Sequence, residues 1–219
     1  MSKLAWDTID TRVYEAGVDR GVIRSKSGLI LSWNGLVAVN EKDEEGVAVN
    51  VFFDGEKVIN YKSRGVYAAT ITGYHLPSQF DSQHRILGRA IREIQGLDEA
   101  RPGFYLTSQI KREFDFSYRS MIPGEGYKIH FVWNATIQEE SSGAITLDDG
   151  SSVETFTWDV TTTPMNEAQG ALASSHFVVD SRKLSPILLS NFEDYFYGKP
   201  SYFPHFPSQI ELAEFFTEE

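Results

Sequence analysis

Gly126-Tyr127-Lys128-Ile129-His130-Phe131-Val132-Trp133-Asn134-Ala135-Thr136-Ile137 is the stretch whose reading decides the fold. Tyr127, Ile129, Phe131, Trp133, Ala135 and Ile137 fall at every second position. Lys128, His130, Val132, Asn134 and Thr136 fall between them. A repeat of two is the side-chain period of a β-strand, so the stretch predicts a long strand with one apolar and one polar face.

The same alternation recurs on both sides. Val66–His75, Phe114–Arg119 and Thr155–Val160 each alternate apolar with polar residues. Further strands are expected near Arg12–Ala16, Val22–Ser25, Leu29–Val39, Val47–Phe53, Lys57–Tyr61, Ala144–Leu147 and Ser175–Asp180. Asp54-Gly55 and Asp148-Asp149-Gly150 have the chemistry of hairpin turns, and Pro123-Gly124-Glu125-Gly126 separates two strands.

Helices are few. Ser185-Pro186 sets a capping hydroxyl before a proline at the first helical position. Leu184, Ile187, Leu188, Phe192 and Tyr195 follow at helical spacing until Gly198-Lys199-Pro200. Ser208 and Glu211 form a capping box for a terminal helix through Phe216. A third candidate, about Gln83 to Gln95, puts Ile86, Leu87, Ala90, Ile91 and Ile94 on one face and Arg85, Arg89 and Arg92 on the other. The expected fold class is mainly β: two packed antiparallel sheets, as a sandwich or barrel, with a flanking helix and a C-terminal helical arm. The expected division is a β domain over 1–198 and an arm over 199–219.

Bulk properties narrow the function. The chain of 219 residues is 41% hydrophobic and 13% aromatic, enough for a real core. It has no cysteine, so disulfides and thiolate sites are excluded. No apolar run approaches the roughly 18 residues of a membrane span. Met1–Asp10 is polar and acidic, without the look of a secretory signal. The formal charge of −11 argues against a protein that grips DNA.

Chemistry is sparse. His75, His84, His130, His176 and His205 are scattered without zinc-site spacing, and the expectation is no metal, no cofactor and no catalytic residue. No phosphate loop or nucleophile elbow is present. Trp6, Trp33, Trp133 and Trp158 read as core rather than as a sugar platform, and Asn134-Ala135-Thr136 as a chance glycosylation match.

Several motifs, in order, resemble the major tail proteins of long, non-contractile-tailed phages. They are Leu4-Ala5-Trp6-Asp7 through Asp10–Val22, Trp33-Asn34-Gly35-Leu36, Phe116-Ser117-Tyr118-Arg119, Gly126–His130, Thr155–Trp158 running to Pro164, and Asp180-Ser181 with Lys183 leading to Glu193-Asp194 and Tyr197-Gly198. The resemblance spans nearly the whole chain. It departs between about Ser82 and Gln109, where a basic amphipathic stretch stands in place of shorter, more acidic sequence.

The resemblance implies a non-enzymatic virion protein made in the host cytoplasm. Six subunits would form a ring, and rings would stack into a tube through which the genome passes. The partners implied are further copies of the chain, a tape measure protein and a tail terminator, with no membrane. A ring of six would carry six times −11, or −66, which suits DNA that must slide without sticking. The expected subunit contacts are the charged segment with Glu41, Asp43, Glu44 and Glu45 and its following hairpin, the basic face with Arg85, Arg89 and Arg92, and the arm aromatics Tyr202, Phe203, Phe206, Phe215 and Phe216. The readings set against this are a secreted carbohydrate-binding β-sandwich, and another tube-type protein such as a tail terminator or a type VI secretion tube subunit.

Overall fold

A computed structural model describes residues 14–26, 28–44, 48–54, 56–62, 66–74, 98–101, 104–106, 113–141, 155–165 and 174–217. The strands are β1 (Val18–Ser25), β2 (Ile30–Trp33), β3 (Leu36–Glu44), β4 (Ala48–Phe53), β5 (Glu56–Lys62), β6 (Val66–Tyr74), β7 (Asp98–Arg101), β8 (Phe104–Leu106), β9 (Phe114–Ile122), β10 (Gly126–Ser141), β11 (Thr155–Thr162) and β12 (His176–Asp180). Helices α1 (Pro186–Tyr197) and α2 (Gln209–Thr217) follow. The protein is mainly β. Eight strands form one antiparallel sheet in the order β2-β1-β9-β10-β11-β6-β3, with β12 also paired to β10. β4–β5 and β7–β8 form two separate two-stranded ribbons.

That order forces the sheet to roll. β2 and β3 occupy its opposite ends, yet only Asn34-Gly35 joins them. A flat sheet would hold those ends about 29 Å apart, at roughly 4.8 Å per strand. Three chain steps from Trp33 to Leu36 reach at most roughly 11 Å. The ends therefore meet: Leu36 and Val39 of β3 pack on the same core as Val18 and Ile23 of β1. Gly35 takes φ 87°, the left-handed backbone that this reversal needs. The sequence reading expected one strand over Leu29–Val39 and so missed this Asn-Gly turn. It also expected a strand at Arg12–Ala16. Tyr14–Gly17 is not in a strand, and β1 begins at Val18.

β10 runs through the centre and changes faces midway. Its pairing with β9 passes from Val132↔Phe116 to Ala135↔Phe114, so one extra residue is inserted there. Asn134 takes φ 51° within that bulge. Before the bulge, Ile129, Phe131 and Trp133 face the helices. After it, Ala135 and Ile137 face the inside of the roll. The alternation of the sequence is unbroken, but the side that it points to is not. Both faces of β10 are thus covered, one within the roll and one under α1 and α2.

The helices begin and end as their sequence dictates. Ser185 Oγ accepts the Leu188 N–H, and Gly198 closes α1 at φ 82°. Before α2, the Ser208 N–H donates to Glu211 Oε2 at 2.7 Å and the Glu211 N–H to Ser208 Oγ at 3.2 Å, a reciprocal capping box. Phe192 and Phe196 of α1, Leu212 of α2 and Phe206 between them close over Phe131 and Trp133. Residues 199–217, expected as an arm, thus contribute to the same outer core. The candidate helix at 83–95, the turn at Asp148-Asp149-Gly150, the Ala144–Leu147 strand and Trp6 lie outside the described residues.

A buried carboxylate joins the bulge to this arm. Asp115 is 1% exposed. It accepts the Asn134 N–H at 2.8 Å, Arg24 Nε at 2.9 Å and Lys26 Nζ at 3.3 Å. Arg24 in turn donates to the Phe206 carbonyl at 3.0 Å and lies over the Phe206 ring. Trp133 Nε1 donates to the Pro207 carbonyl at 3.0 Å. Asp115→Ala should take the carboxylate from Arg24 and Lys26, leave the Asn134 N–H without its acceptor and cost about 3 kcal/mol, the lower end for one half of a buried pair. Urea unfolding of the variant against the parent checks this, and a change under about 1 kcal/mol would contradict it.

Candidate functional site

One cluster of polar and titratable side chains draws on five strands of the sheet. Glu41 comes from β3, Tyr67 from β6, Tyr118 and Ser120 from β9, His130 from β10 and His176 from β12. Strand alternation sends Tyr118 inward along with Phe114 and Phe116, and places His130 beside it, ring on ring at 4.4 Å. Pairing of Val132 with His176 brings the second imidazole alongside.

The hydrogen bonds form a connected set. His130 Nδ1 lies 3.1 Å from Glu41 Oε1 and 3.1 Å from His176 Nε2. His176 Nε2 lies 3.9 Å from the same Glu41 oxygen. The Tyr118 hydroxyl donates to Glu41 Oε1, and the Tyr67 and Tyr118 hydroxyls are 3.2 Å apart. On the far side of the ring, His130 Nε2 meets Ser120 Oγ at 3.0 Å, and Ser120 donates to Glu15 at 2.8 Å. Lys128 pairs with the other oxygen of Glu15. A cleft of about 340 Å³, lined by Glu15, Val18, Val39, Glu41, Tyr118 and His130, opens onto this cluster.

The charges shape one another. The hydrogen bond from His130 holds the Glu41 carboxyl down to about 2, against the opposing effect of burial, with Tyr118 helping. Lys128 lowers Glu15 in the same way. Burial pushes the Tyr67 and Tyr118 phenols up, so both stay protonated as donors.

The residues expected as subunit contacts are placed unevenly. Glu41 belongs to the cluster just described. Asp43 and Glu44 lie in β3, paired with Tyr67 and Val66. Glu45, Arg85, Arg89 and Arg92 lie outside the described residues. Phe206 is buried, and Phe215 and Phe216 are half-buried against Phe192. Tyr202 and Phe203 are 66% and 96% exposed on the turn after α1. Trp33, Trp133 and Trp158 are buried in the core.

Sequence reasoning missed the histidine pair. His130 and His176 are 46 positions apart, and no spacing rule joins them. Only the pairing of β10 with β12 does so. His205, by contrast, sits on Glu211 at 3.1 Å beside the capping box.

No protein-family model matches the chain, and a search of curated proteins finds no match. No helix among the described residues is long and apolar enough to cross a membrane.

Glu41 and Glu211 both sit near 2 in the fold, below the ordinary 4.5 of a free glutamate. Their contribution to stability is therefore complete above that ordinary value and is lost as pH falls toward 2. Thermal unfolding between pH 6 and pH 2 should show the parent losing stability across that window, with a smaller loss in Glu41→Gln. Identical slopes for the two would show that Glu41 holds no such charge-dependent contact.

Proposed function

We propose that this chain is the major tail protein of a long, non-contractile-tailed phage, a structural subunit and not an enzyme. Six copies form a ring, and rings stack into the tube that conducts the genome. The rolled sheet is read as the tail-tube sandwich, with its β1–β2–β9 side and its β3–β6–β11 side as two layers over one core.

One observation carries this reading. β4 and β5 pair with each other and with no other strand among the described residues. Their ladder nevertheless continues that of β3 and β6. Glu44 pairs with Val66, Ala48 pairs with Lys62, and three residues separate the two ladders on each side. β3 to β6 thus reads as one long hairpin whose base belongs to the sheet and whose tip pairs with no other strand among the described residues. An isolated two-stranded hairpin is marginal in water, so such a tip calls for a partner. A neighbouring copy supplies one in a tube.

Two further features support it. The sheet keeps edges at β2 and β3, which a shared barrel would cover. The outer face of β3, β6 and β11 carries Asn40, Thr70, Thr72, Thr157 and Thr161. Its one described charge pair, Lys42 with Asp159 at 3.0 Å, is neutral. A hydroxyl-rich wall without excess positive charge suits a lumen for sliding DNA. Burial of Trp33, Trp133 and Trp158 stands against a tryptophan sugar platform.

Replacing residues 45–65 by Asn-Gly joins Glu44 to Val66 through a two-residue turn that matches their pairing. The variant should fold, with the parent's near-ultraviolet circular dichroism, and remain unassembled where the parent forms rings or tubes in negative-stain images. Normal tubes from the variant, or a parent that stays monomeric at all concentrations, would overturn the proposal.

A further inference from the structure

We propose that Glu41, His130 and His176 form a binding site for a divalent transition-metal ion of the zinc class, which ties the end strand β3 of the rolled sheet to its centre. This stands apart from the assembly reading and does not depend on it.

The geometry makes the case. His130 Nδ1 meets Glu41 Oε1 at 3.1 Å and His176 Nε2 at 3.1 Å. Ser120 Oγ holds the other ring nitrogen, Nε2, at 3.0 Å, so Nδ1 is the nitrogen turned to the two other groups. Two imidazole nitrogens and one carboxylate oxygen thus lie within 4.8 Å of one another in a part-buried place. A transition-metal ion can take the place of the protons that these three atoms share.

The dimensions suit a metal. The three donor–donor separations are 3.1, 3.1 and 3.9 Å. A tetrahedral ion with bonds of roughly 2.0–2.1 Å spaces its ligands roughly 3.3–3.4 Å apart. The imidazole planes lie 11° apart with centroids at 5.3 Å, so the two nitrogens face each other nearly edge to edge. Binding a shared ion tilts the rings from that arrangement. Two nitrogens and one carboxylate oxygen favour zinc over the hard cations magnesium and calcium. The fourth position opens toward the cleft beside Val18 and Val39.

The supporting contacts are already in place. The chain from Glu15 through Ser120 to His130 Nε2 holds the ring in place, as partners behind a ligating histidine do. Tyr118 and Tyr67 orient the Glu41 carboxylate. Since Glu41 lies on β3 and the histidines on β10 and β12, an ion here would tie the end strand of the sheet to its centre.

The test is isothermal titration of the full chain, stripped by chelator, with zinc chloride, followed by thermal unfolding with and without zinc. The expected result is one ion per chain, a raised melting temperature, and no response to magnesium or calcium. His176→Gln and Glu41→Gln are mild enough to keep the fold, which circular dichroism checks. Each should weaken zinc by at least about tenfold, since loss of even a supporting partner costs about 10–100-fold. His205→Ala should bind as the parent does. A parent that binds no zinc, or a His176→Gln variant that binds it undiminished, would overturn the proposal.

Discussion

The buried carboxylate of Asp115 is the contact on which the architecture turns. It accepts the backbone N–H of Asn134, the left-handed residue at the bulge of β10, and it is matched by Arg24 and Lys26. A charge this deeply buried is costly unless paired and hydrogen-bonded, and Asp115 has both kinds of partner. The bulge that it holds moves the apolar stripe of β10 from the helix side of the sheet to the inside of the roll. Without that shift, Ala135 and Ile137 would point away from the inner core, and one of the two cores would lose a strand. The same network reaches the C-terminal segment, since Arg24 holds the Phe206 carbonyl and lies over its ring. Strand, bulge and arm are therefore one cooperative unit.

The rolled sheet has consequences for the site as well. Closing β3 onto β1 carries Glu41 across the mouth of the roll to His130 and His176. Residues that sequence separates by scores of positions become neighbours by strand order alone. β3 also continues, through matched register, into the β4–β5 ribbon, which pairs with no strand of the sheet among the described residues. The strand that shuts the roll is thus the strand that leads into the proposed assembly hairpin, so damage at the base of that hairpin should be felt at both places.

Much of this was legible in the sequence where local physics decides. The alternation of Tyr127–Ile137, the Ser185-Pro186 start of α1, the Ser208–Glu211 capping box and the Asp54 turn all stand where their chemistry puts them. What was not legible depends on distant pairing. Nothing in Trp133-Asn134-Ala135 announces that parity changes there, because the bulge is set by Asp115 on another strand. The Asn34-Gly35 turn was visible as a dipeptide, yet the apolar run across it suggested one strand. The histidine pair carried no spacing signal, since its partners meet only through β10 and β12. Phe206 read as a subunit contact together with the other aromatics of the arm, whereas Trp133 and Arg24 draw it into the core.

The central claim is that the hairpin tip from Ala48 to Lys62 is made for a second copy of the chain. Cryo-electron microscopy of the assembled protein tests this most directly. The account predicts six-fold rings in which β4 and β5 lie against an adjacent subunit. Assemblies in which the hairpin folds back on its own sheet, or particles that are single chains throughout, would contradict it.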